Sequence, residues 1–124
     1  MSLKAKLYLD RLKKRAATGK VNYPIATIAY YGPDNKFASK VAVGIIVREG
    51  ADVATLERWF ADRTDVRFDA QVNEAIVQFL TANHVQAVAS ADRILGCPHE
   101  EGVDYPDGEV CPVCAYWAGR DRFA

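Results

Sequence analysis

All three cysteines of this 124-residue chain, and one of its two histidines, fall in one short stretch. It reads Cys97-Pro-His99-Glu-Glu-Gly-Val-Asp-Tyr-Pro-Asp-Gly-Glu-Val-Cys111-Pro-Val-Cys114. Three thiols cannot all pair within one chain, and clustering with a histidine favours a metal over a disulfide framework. Three thiolates and one imidazole are the donor set a tetrahedral Zn²⁺ prefers, with zinc ahead of iron because one donor is an imidazole. Cys97, His99, Cys111 and Cys114 are therefore the expected ligands, and His84, the only other histidine, is the reserve.

The spacing sets conditions on the backbone. Cys111-Pro-Val-Cys114 is a compact turn whose two sulfurs converge naturally, with Pro112 fixing one backbone angle. Cys97-Pro-His99 is tighter: in an extended strand its two side chains would stand about 6.5 Å apart. A bend at Pro98 is required, and Gly102, Pro106 and Gly108 supply the turns that bring the second pair back. Val103, Tyr105, Val110, Tyr116 and Trp117 form the expected apolar pad beside the ion. Four donors at such spacing close the coordination sphere, which makes the ion structural. Were His99 free, an open position would permit Lewis-acid chemistry with Glu100 or Glu101 as base, in a cleft lined by Glu101, Asp104 or Tyr105.

The charges are balanced in total and segregated in sequence. Sixteen Lys plus Arg face sixteen Asp plus Glu, which excludes a surface adapted throughout to nucleic acid or anionic membrane. Yet residues 1–20 hold seven bases and one acid, and residues 97–111 hold five acids and no base. Phosphate would be repelled around the ion, so a nucleic-acid zinc finger is disfavoured there. Lys4, Lys6, Lys13, Lys14 and Arg15 instead make an electrostatic surface for an acidic partner, nucleic acid, or the acidic stretch of a second copy.

Hydrophobic periodicity gives a single domain with a basic amphipathic helix in 1–20, an α/β core in 21–96 and a zinc-bound module in 97–124. Ala5, Tyr8, Leu9, Leu12 and Ala16 form one stripe of the first helix. Residues 21–47 read as a β-hairpin around the Gly32–Lys36 turn, with Tyr30 and Tyr31 on opposite faces. Val53–Ala61 is expected to be a helix burying Val53, Leu56, Trp59 and Phe60, followed by a short strand at Val66 and Phe68. Asp69 caps a helix from Ala70 to Ala82 that ends at Asn83. Val85–Ala89 is the last strand. The order α-β-β-α-β-α-β implies an α/β or α+β fold, a small mixed sheet with helices packed on it and its later strands parallel.

The Cys-Pro pairs resemble zinc-ribbon knuckles over the metal stretch alone. The pattern departs from that of zinc nucleobase deaminases: Val110 stands where their motif has proline, and Cys97 is an additional donor. A thioredoxin-like site, a P-loop, a dinucleotide fingerprint and a serine triad are likewise not matched. No apolar run reaches the roughly 20 residues of a membrane span, and no secretory signal precedes the first helix. The expectation is a small cytoplasmic zinc-binding protein acting as a non-enzymatic binding or adaptor module. A metalloenzyme and a nucleic-acid-binding domain are the alternatives.

Overall fold

The structure, a computed structural model, describes residues 3–17, 22–100, 102–109 and 111–118. Its elements are α1 (Leu3–Ala17), β1 (Ile25–Tyr31), β2 (Lys40–Ile46), β3 (Thr55–Phe60), α2 (Ala70–Ala82) and β4 (Ala87–Gly96), then a short 3-10 turn at Ala115–Trp117. The four strands form one mixed sheet in the order β3-β2-β1-β4. β1 and β2 pair antiparallel with Ala29 opposite Ala42, β3 continues antiparallel from β2, and β4 lies parallel to β1.

Strand alternation decides which face the helices cover. Ala26, Ile28 and Tyr30 stand opposite Ile45, Val43 and Val41, and all six are buried in one core with Leu9 and Leu12 of α1 and Val72, Ile76 and Leu80 of α2. Both helices therefore pack on one face of the sheet. The opposite face, with Thr27, Ala29, Tyr31, Ala42 and Gly44, has no helix on it among the described residues. The expected mixed sheet with packed helices is what forms, as a two-layer arrangement.

Local chemistry places the better-predicted elements. In the hairpin turn the Asp34 carboxylate accepts from the amides of Lys36 (2.8 Å) and Phe37 (3.0 Å), an Asx-turn. A Cβ on Gly32 would collide with the Phe37 carbonyl. The Asp69 carboxylate caps α2 by accepting from Val72 N at 3.0 Å, and Asn83 closes its C-terminus through a bond from its own N–H to Phe79 O.

Three expectations need correction. Residues 53–61 do not form a helix: 55–60 are strand β3. Leu56, Trp59 and Phe60 have helical spacing, but in the strand Trp59 turns to the helix side and meets Phe79 edge-on at 5.8 Å. Leu56 and Phe60 stay exposed on the other face. Pairing with β2 satisfies the backbone and overrides the period of a run this short. Residues 66–68 are a turn. Val66 is buried there because its N–H donates to Ala38 O at 2.8 Å, while Phe68 points to solvent. Finally, among the described residues the one parallel pair is β1 with β4, and β4 extends beyond the expected Ala89 to Gly96, running directly into Cys97.

Candidate metal centre

β4 delivers Cys97 to the end of the sheet, where Gly32 N donates to Gly96 O at 2.8 Å. The chain then bends at Pro98, and the His99 amide donates back to Cys97 Sγ at 3.3 Å. That turn replaces the extended separation with contact: His99 Nδ1 lies 3.2 Å from Cys97 Sγ. Two turns among the described residues beyond Glu100 then return the chain. Glu100 N donates to Asp104 Oδ2 at 2.7 Å and Gly102 N to Tyr105 O at 2.7 Å, and Gly102 and Gly108 both adopt φ of 82°, which glycine tolerates best. Cys111 and Cys114 then bring their sulfurs to 3.4 Å and 3.5 Å from the same His99 nitrogen.

The donor atoms of Cys97, His99, Cys111 and Cys114 all lie within 4.8 Å of one another, close enough to hold a metal ion. All three thiols are free and buried. Burial pushes the Cys97 thiol up to about 12 and raises that of Cys114. Burial acts the same way on Cys111, but the amides of Cys114 and Val113 outweigh it and hold that thiol below its ordinary value. A cation among the four donors would stabilise all three thiolates at once.

The centre is fastened to the sheet by side chains from distant elements. Lys40, at the start of β2, has a side chain only 6% exposed, and its Nζ donates to Pro98 O at 3.0 Å. It lies between the rings of Tyr31 (5.5 Å) and Phe60 (5.8 Å) and 3.8 Å from Glu100. Burial lowers the Lys40 pKa, and the Glu100 charge opposes that shift. Arg58 of β3 holds the same Glu100 carboxylate at 2.7 Å. Trp117 Nε1 donates to Gly32 O at 2.8 Å, and its ring packs against both the main core and the cysteine cluster.

The remaining expected site residues fall in several places. His84 sits after α2 at φ 56°, outside the donor group. Glu100 is not among the donors either; it is held by Arg58 and Lys40. Glu101 and Val110 lie outside the described residues. Of the expected apolar pad, Tyr105 and Trp117 pack on the cysteines, whereas Val103 is 77% exposed. Asp104 lines a cavity of about 760 Å³ with Phe37, Lys40, Phe60 and His99. Tyr105 lines another of about 340 Å³ on the open sheet face. Lys6 and Lys13 border a third, of about 420 Å³, beside Arg67 and Phe68. Lys14 and Arg15 are exposed on α1, Arg15 donating to Gln86 O at 3.3 Å, and the Lys4 side chain lies outside the described residues.

Lys40 and Arg58 were missed as parts of the site, as was the Trp117 indole bond to Gly32, although Trp117 itself was expected beside the ion. A signal existed for Lys40, a lone cation opening the otherwise apolar strand Lys40–Ile46. For the other two the partner is far away in sequence. No protein-family model, curated protein or solved structure matches the chain. Among the described residues no helix is long and apolar enough to cross a membrane.

Proposed function

We propose that the Cys97, His99, Cys111, Cys114 group is a closed, structural zinc site, and that the protein is a non-enzymatic binding or adaptor module whose C-terminal stretch the ion shapes. The observation that carries this reading is the position of His99 Nδ1, 3.2–3.5 Å from all three sulfurs. A tetrahedral ion with Zn–S near 2.3 Å and Zn–N near 2.0–2.1 Å separates sulfur from nitrogen by about 3.5 Å. These separations support a reading in which the four donors fill a tetrahedron and close the site to water and substrate.

Bound there, zinc supplies a fixed crosslink, and this chain's residues do the rest. Lys40 and Trp117 hold the ligand loops against β2 and the hairpin turn, and Arg58 fixes Glu100. The basic face of α1 and the acids of 97–111 then offer oppositely charged surfaces to an acidic and a basic partner respectively. Metal analysis with cobalt substitution tests the site. One ion per chain and a four-coordinate S₃N spectrum unchanged by pH and small anions are expected. A bound water titrating near neutrality would overturn the closed site and favour the metalloenzyme.

A further inference from the structure

β3 is at the edge of the sheet, and among the described residues nothing pairs with its outer side. Edge strands are commonly protected by proline, by charged side chains, lysine above all, or by a bulge. Thr55–Phe60 has neither proline nor lysine, only Glu57 and an Arg58 drawn back to Glu100 at 2.7 Å, and its register with β2 runs without a shift. Five of its six residues are exposed, among them Leu56 at 43% and Phe60 at 65%. An uninterrupted edge that also displays large apolar side chains is a template for another strand.

We propose that this edge is a self-association interface: two copies pair their β3 strands antiparallel about Arg58, joining two four-stranded sheets into one of eight. The sequence of the strand selects both the occupant and the register. In an antiparallel pair related by a two-fold axis, opposed residues point to the same face, so even positions meet even ones. Centring on Arg58 puts Leu56 of each copy opposite Phe60 of the other, closing both exposed apolar side chains in two equivalent contacts. Centring on Glu57 would put two unpaired carboxylates together and Leu56 against Arg58. Centring on Trp59 would leave Leu56 opposite Asp62. In the Arg58 register each facing guanidinium carries its own Glu100 carboxylate at 2.7 Å, shared with Lys40, which offsets part of the like-charge repulsion.

Sedimentation equilibrium of the metal-loaded full chain, at low and at molar salt, reads the interface. A dimer that persists at high salt is expected, because backbone pairing and apolar contact are not screened. Leu56→Lys should weaken the dimer at least about tenfold, with far-UV circular dichroism and metal content unchanged. Phe60→Glu should weaken it similarly. Mixing the two variants should restore association, since the introduced ammonium of one copy then faces the introduced carboxylate of the other. Hydrogen exchange of the 56, 58 and 60 amides should slow on dimerisation. Monomers at every concentration would overturn the proposal. So would a dimer that dissolves in salt, which would indicate association between the charged poles, and so would no recovery on mixing. Metal content, read on the same samples, separates failure of this interface from failure of the zinc site.

Discussion

Lys40 is a cation at the end of an apolar strand, and the Cys97–Cys114 stretch gives it a reason to be there. Its ammonium reaches a backbone carbonyl beside two of the donors, so it links β2 to the bend at Pro98. Lys40→Met keeps the apolar length of the side chain but leaves Pro98 O without its donor. Losing a charged hydrogen bond of this kind costs about 1.5–3 kcal/mol. The expected outcome is a lower urea midpoint together with faster zinc transfer to a chromogenic chelator; unchanged transfer would mean that Lys40 does not hold the ligand loop. The four donors were legible in the sequence because their chemistry is local, whereas Lys40 showed only as a lone cation opening an apolar strand, its partner lying 58 residues away. Asp65 makes the same point on the other side of the hairpin. Its carboxylate accepts from Ala38 N at 2.9 Å and from the Arg67 amide and guanidinium. Burial acts to raise its pKa, but the Arg67 hydrogen bond and the two amides outweigh burial and hold it below the ordinary 3.8. A depressed folded pKa means the stabilisation is complete above the unfolded value and lost as pH falls through the folded one. Asp65→Asn should therefore be less stable at neutral pH, with the gap to the natural protein closing below pH 3.8. Unfolding midpoints for the two proteins that run parallel into acid would refute that role.

At the scale of elements, legibility follows how much of an element's determination is carried by its own residues. Helix α2 matched its expected ends because Asp69 and Asn83 cap it locally and Val72, Ile76 and Leu80 fall on one stripe. β3 failed because Leu56, Trp59 and Phe60 fit a helical stripe as well as a strand, and its conformation is fixed by β2, outside the segment. The turn at 66–68 failed for a related reason, since Asp65 and Ala38 hold it through contacts that no alternation pattern encodes. The strand assignment makes Trp59 the link between β3 and α2, through its edge-on contact with Phe79. Trp59→Ala should destabilise the protein by about 1–3 kcal/mol, below the 3–5 typical of a fully buried aromatic because Trp59 is only half-buried. Trp59→Phe should recover most of that. If equilibrium unfolding showed the alanine variant no less stable, β3 would not be tied to the helical layer by this residue.

For the whole molecule the question is how far the metal centre is needed by the rest of the chain. The main core runs from Leu9 to Ile94 and includes both helices and the inner strands; among the described residues after Ile94, it takes only the Trp117 ring at its margin. The cysteine cluster is a second, separate core, closed by Tyr105 and Trp117, and three buried thiols beside an imidazole have little apolar surface with which to fold unaided. The ion should therefore be responsible for the order of residues 97–118 far more than for the sheet. Its binding free energy appears as folding free energy of that segment, and at a thousandfold excess over its dissociation constant a ligand adds about 4 kcal/mol. Stripping zinc with a strong chelator should leave far-UV circular dichroism and slow exchange in β1, β2 and α2 largely intact. The near-UV signal of Tyr116 and Trp117 should collapse, and amides from 97 to 118 should exchange freely. Loss of Lys40's acceptor and of the Trp117 bond to Gly32 should also lower the melting temperature of the remaining domain, and returning one equivalent of zinc should restore it. If chelation instead melts the sheet and the tail in one cooperative step, the two cores form a single folding unit, and the ion stabilises the entire chain through Trp117 and Lys40.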